Sequence, residues 1–307
     1  MTVSTAQQRL AAVAALPLVP AGRPIGMPGV LRSLQDLWAY RELLGLLVRR
    51  ELHARYKDSA LGFLWSLARP LTMLLVYYIA IGKFLGAEQV PGRPGGIPGF
   101  AVFVFTGLTL WTLFSDIVAG GTGSIVGNAG LVKKIYVPRE VFPLAVTGSA
   151  LFNFAIQLAI LVAATVLTGQ APALATLGYA PLALAVALVF AVALAFFLAA
   201  VNVTLRDVQY LVEVALMVMM WASPIIYSWS LVADKLPAPW MAEAYLANPV
   251  TLAVLGFQRA FWMQGADHVY PDHLALRLAI ALGVGLVLLV GAHRVFARRE
   301  GDFAQEL

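Results

Sequence analysis

Six stretches of about twenty mainly apolar residues, spread over 66–296, decide what this chain can fold into. As a helix, a run of that length matches the bilayer's hydrocarbon core, about 30 Å thick. Lipid offers no partner to backbone N–H and C=O groups, so a spanning segment has to satisfy them internally, as a helix does. The stretches are about 66–86, 100–119, 141–168, 178–201, 208–228 and 275–296. Composition agrees, with 61% hydrophobic and 12% charged residues, where a soluble domain carries about 25% charged. The expected fold is an all-α integral membrane protein, with a six-span domain over 65–299.

The segment 30–64 has another character. Leu31, Leu34, Leu37, Trp38, Leu44, Leu47, Val48 and Leu52 recur at helical spacing, with Arg32, Arg41, Arg49, Arg50 and Arg55 between them. That pattern predicts an amphipathic helix lying at the membrane interface. Residues 1–29 read as a mobile cytoplasmic tail: Pro17 and Pro20 interrupt the short apolar run there, and only Arg9 precedes it, which argues against a signal peptide.

Charge sets the orientation. An even number of spans puts both termini on one side, and cytoplasmic loops collect Lys and Arg. With both termini inside, sixteen of the 21 basic residues are cytoplasmic; the others are Lys83, Arg93, Lys235, Arg259 and Arg277. The net charge of +5 therefore reports topology and gives no reason to expect nucleic-acid binding. A cytoplasmic loop at 120–140 is expected, with Gly120, Gly121 and Gly123 interrupting the helix, and a tail at 300–307. Outside, Pro249–Trp262 is apolar but too short to cross, with Asn248 as its N-cap. It reads as part of a re-entrant segment, 245–264, between spans five and six, with Leu252, Leu255, Phe257, Ala260 and Phe261 facing the membrane.

Several chemistries are excluded. The chain has no cysteine and no glycine-rich phosphate loop ending in Gly-Lys-Ser or Gly-Lys-Thr, so it makes neither disulfides nor a Walker site. Its His residues, His53, His268, His273 and His293, show no metal-ligand spacing. Glu213 is the one acid at depth in a span, whereas ion-coupled transporters carry several such groups. Energy for any transport is thus expected from a partner.

Three stretches carry a family resemblance. The first runs Arg50-Glu51-Leu52, Arg55-Tyr56-Lys57, Ser59, Leu61-Gly62, Trp65 and Pro70. The second is Asn128, Leu131-Val132-Lys133-Lys134-Ile135-Tyr136-Val137-Pro138-Arg139-Glu140. The third joins Arg206-Asp207 to Ser223-Pro224-Ile225-Ile226-Tyr227, followed by Asn248-Pro249. Together, over about 35–299, they resemble the permease subunits of type-2 ABC exporters, and within these the branch that exports O-antigen, capsule, teichoic acid and related lipid-linked glycans.

The resemblance implies a permease that is not itself an enzyme, in the inner (cytoplasmic) membrane, paired with a second copy and with two ABC ATPase subunits. ATP and Mg would be bound by those partners, so no cofactor is expected in this chain. It assigns Asn128, Leu131, Val132, Lys133, Lys134, Ile135 and Arg139 to ATPase coupling. Arg49, Arg50, Arg55, Tyr56, Lys57 and Trp65 would form a cytoplasmic gate for a lipid headgroup. Tyr77, Phe103, Trp111 and Tyr227 are candidate channel lining, because sugar rings stack on aromatic faces, and Asn248, Pro249, Phe257 and Phe261 are candidates for an external gate. Two other readings stay open: export of a small amphiphile or drug by the same fold, and a membrane glycosyl-transfer enzyme using Asp234, Glu243, Asp267, His268, Asp272 or His273.

Overall fold

The computed structural model describes residues 39–56, 65–88, 96–134, 137–265 and 270–307. The 1–29 tail, Lys57 and Ile135 lie outside the described residues, as do the side chains of Arg55, Tyr56 and Trp65. The described chain is helical, with one isolated bridge between Glu88 and Ile97. In order come α1 (Arg41–Tyr56), α2 (Trp65–Tyr77, continued by a π-helical turn, Tyr78–Phe84), α3 (Phe100–Gly127), α4 (Ala129–Val132) and α5 (Val141–Leu167). Then follow α6 (Leu174–Leu177), α7 (Tyr179–Thr204), α8 (Val208–Trp221), α9 (Trp229–Lys235), α10 (Pro239–Leu246), α11 (Pro249–Phe261), α12 (Leu274–Arg299) and α13 (Phe303–Glu306).

Four helices are long and apolar enough to cross a membrane: α3, α5, α6–α7 taken together, and α12. Where the sequence suggests spans one and five, the apolar helices are shorter, Pro70–Phe84 and Val208–Trp221. The second stops early because Pro224 carries no N–H and the chain turns at Ala222–Ser223.

α3 is the centre and α12 the periphery: 72% of the most apolar window of α3 is buried, against 17% for α12. Around α3 pack α2, α5, α7, α8 and α11. α7 carries Ala183, Ala187, Ala191, Ala195 and Ala199, one every fourth residue and all nearly fully buried; Ala195 meets α3 at Gly121, and Ala183 meets α11 at Gly256. Small residues at that spacing form a flat stripe along which helix backbones approach closely.

The glycines of α3 belong to the same packing. They do not interrupt the helix, which runs unbroken to Gly127, against the expectation that it would break at Gly120–Gly123. A Cβ at Gly121 would lie 2.5 Å from Ala195 Cβ, and one at Gly120 would lie 2.7 Å from Val146. A glycine in a helix costs about 1 kcal/mol relative to alanine, and the close approach it permits offsets that. Asn202 Nδ2 of α7 donates to the Thr122 carbonyl across this seam, and Gln209 Nε2 of α8 donates to the Ala119 carbonyl.

The amphipathic helix α1 packs on α5 of the same chain. Leu47 is buried, and a Cβ at Gly148 would meet Val48 at 2.7 Å. Arg41, Glu42, Arg49 and Arg50 face outward. The largest departure from expectation is α11. It lies against α3, α7 and α12, and its residues Val250–Gln258 are all buried. Leu252, Leu255, Phe257, Ala260 and Phe261 are at most 5% exposed, so they do not face the membrane. α11 is a core element, and here the long helices supply the walls.

Candidate functional site

Two junctions stand at opposite ends of the bundle. The basic one forms where α3 ends. Asn128 closes α3 and opens α4: its carbonyl accepts from the N–H groups of Leu131 (2.9 Å) and Val132 (3.0 Å). Its side-chain Nδ2 donates to the Ser124 carbonyl at 2.8 Å, which orients the amide and points Oδ1 outward. The Arg50 guanidinium of α1 donates to that Oδ1.

The next residues split by face. Val132 is 4% exposed and sits in a cluster with Val141, Phe142, Phe196, Phe296 and Phe303. Leu131 is half-buried against the same cluster. Val132, assigned to ATPase coupling, is thus a core residue that anchors the short helix in its own protomer. Gly130, Lys133 and Lys134 are left exposed at the tip.

Behind the tip, Arg139 lies over the Phe303 ring at 5.7 Å, and α13 packs against α4 and α7. Thr204 Oγ1 donates to Glu306 at 2.6 Å. Glu140 is fully buried, with Oε1 3.4 Å from His293 Nε2. Sequence reasoning placed Lys133, Lys134 and Arg139 here but missed Phe303 and Glu306, which lie more than 160 residues away along the chain.

The other junction is built on the Ser223-Pro224 break. Stopping α8 there frees carbonyls, and an unpaired carbonyl away from water is costly. α11 answers with polar side chains on one face: Gln258 Nε2 donates to the Pro224 carbonyl at 2.8 Å, and Thr251 Oγ1 to the Ala222 carbonyl at 3.4 Å. Asn248 caps α11, its Oδ1 accepting from Val250 N–H at 3.0 Å and its Nδ2 donating to Ser223 Oγ at 3.4 Å. Pro249 opens the helix at the position where a missing N–H does no harm. Thr251 and Gln258 were not singled out from sequence. The available signal was two uncharged polar residues seven apart, hence on one face, in a mainly apolar short helix.

The four aromatic candidates for channel lining occupy defined places. Tyr227 OH lies 3.1 Å from Tyr245 OH and donates to the Trp221 carbonyl at 2.5 Å. Burial holds the Tyr245 phenol above its ordinary range, so it stays protonated and available as a donor. Phe103 is 1% exposed, 4.7 Å from Trp262 in an edge contact, and Trp262 Nε1 donates to the Pro98 carbonyl at 2.7 Å. Trp111 is 6% exposed, against Phe114. Both rings are thus walled in by their own protomer and present no open channel face, because the central helix α3 turns them into its packing. Tyr77 is half-buried on α2. Phe257 and Phe261 pack in a tilted contact at 4.7 Å, with Phe154 6.0 Å from Phe257, which makes them core and not a free gate. On the same end Glu243 and Arg277 form a two-pronged pair at 2.7 and 2.8 Å. That guanidinium holds the Glu243 carboxyl below its ordinary range.

Comparison with known proteins places this architecture. Residues 42–262 match the model of the ABC-2 type transporter family. The chain is 33% identical over 278 residues, 91% of its length and 100% of the relative's, to an O-antigen export system permease protein, RfbA, of Myxococcus xanthus. A Klebsiella pneumoniae protein of the same name is 27% identical over 87% of this chain and 95% of its own. A capsule polysaccharide export inner-membrane protein, CtrC, of Neisseria meningitidis serogroup B is 30% identical over 32% of this chain and 35% of its own. With the family match spanning the helices from α1 to α11 and a relative aligned over its whole length, the chain belongs to the ABC-2 type transporter family.

Proposed function

We propose that this chain is the membrane subunit of an ABC exporter that carries a lipid-linked polysaccharide across the inner membrane. The observation that carries the reading is the end-to-end match to O-antigen export permeases. In this reading two copies form the pathway and two separate ATPase subunits dock at the basic end, which faces the cytoplasm with both termini. The exposed tip at Gly130, Lys133 and Lys134 supports docking there: a short turn anchored from behind by Val132 can seat in a partner's groove with cations at its rim. α2 and α8 complete six spans, and α10–α11 enter from outside and turn back. At 13 residues α11 is about 20 Å long, short of the hydrocarbon core.

The gate segment is proposed to receive the headgroup through Arg49, Arg55, Tyr56, Lys57 and Trp65. Tyr77 and Tyr227 remain the candidates for contact with sugar. The test is direct. Cells lacking the chain should lose polysaccharide from the surface and accumulate it, still lipid-linked, inside. Unchanged surface polysaccharide would refute the reading.

A further inference from the structure

Arg50 reaches beyond its own helix. Its guanidinium is bonded to Asn128 Oδ1, 78 residues away, at the residue that closes α3 and opens α4. The contact joins two of the stretches that carry the family resemblance. Asn128 is built for it: with Nδ2 committed to the Ser124 carbonyl, only the oxygen is left to face Arg50. α1 also holds the far side of the tip, through Leu47 and through Val48 against Gly148 of α5. The interfacial helix is therefore fixed to the helices on both sides of the 128–140 segment. A guanidinium N–H on an oriented amide oxygen is directional, unlike a cation near lipid phosphate.

We propose that Arg50 and Asn128 form a latch that makes α4 and α1 move as one body, so that a displacement of the tip by the ATPase is delivered to the interfacial helix α1. Arg50 is then a positioning residue acting through Asn128, and not a headgroup ligand. The proposal rests on the docking reading above and refines it.

The cysteine-free chain permits a distance test in the complete transporter reconstituted in vesicles. Spin labels go on Leu46→Cys of α1, which is 61% exposed, on Gly130→Cys of the tip, where a Cβ meets nothing within 4 Å, and on Val287→Cys of α12, which is 72% exposed. Distances are read without nucleotide and with ATP plus vanadate. The latch predicts that 130–287 changes while 46–130 stays constant. In Arg50→Ala, 46–130 should shift or broaden between the two states. Asn128→Ala should do the same, and the double variant no more than either single one. A 46–130 distance that changes in the native background, or that stays constant in both single variants, overturns the latch. A 130–287 distance insensitive to nucleotide overturns the docking reading, and the latch with it.

Discussion

Replacing Gln258 by Leu removes the donor that serves the Pro224 carbonyl and adds a well-sized apolar side chain in its place. The hydrogen bond is 2.8 Å long and Gln258 is 1% exposed. In a soluble protein the two changes would partly offset each other. Inside a bilayer the apolar gain nearly vanishes, because lipid tails solvate leucine as well as a protein core does. What remains is the lost bond and an orphaned buried carbonyl. Interhelical bonds in membrane proteins average about 0.6 kcal/mol and reach about 1.7. A carbonyl with no alternative partner belongs at the upper end, so Gln258→Leu should cost about 1.5 kcal/mol, roughly a tenfold loss in the unfolding equilibrium. Thr251→Val removes a longer bond, 3.4 Å, and should cost less, about 0.5 kcal/mol. Equilibrium unfolding in mixed micelles with increasing SDS fraction reads both. If Gln258→Leu is as stable as the native chain, or Thr251→Val is the worse of the two, the account of α11 as the partner of the broken helix is wrong.

Three further outcomes follow from the same geometry. Reversing Lys133 and Lys134 together to Glu changes the exposed tip without touching Val132 or Leu131; co-purification of the ATPase subunit should fall several-fold while membrane insertion is unchanged, and undiminished co-purification would remove docking from this turn. Arg277 lowers the Glu243 carboxyl, so the pair's contribution is present above the ordinary carboxylate value of about 4.5 and fades as pH falls through the lower folded-state value; the thermal midpoint should therefore drop on acidification below about pH 4.5 in the native chain, and Glu243→Gln should flatten that drop. A cysteine at Trp240, 66% exposed on α10, should react with a membrane-impermeant reagent on intact cells, and one at Gln305 should not; the reverse pattern would invert the orientation.

The helical fold was legible in the chain itself because lipid leaves the backbone so few alternatives. Apolar runs at 141–168, 178–201 and 275–296 became α5, α7 and α12 within a few residues. The Asn248-Pro249 start of α11 was legible for a local reason: a capping side chain followed by a residue with no N–H to lose. Which way an apolar side chain faces was not legible, since lipid and protein interior are equally apolar and hydropathy cannot tell them apart. Phe103 and Trp111 are candidates for channel lining as aromatics at depth, and Phe257 and Phe261 for a gate as part of the external segment; all four are buried within the protomer. The glycines at 120–123 carried a helix-breaking signal that holds only for an isolated helix; against Ala195 and Val146 they are what lets α3 sit at the centre. The tertiary structure alone decided the pairing of Gln258 with Pro224, Phe303 with Arg139 and Arg50 with Asn128. Each joins residues 34 or more apart, and no local propensity or periodicity spans that distance.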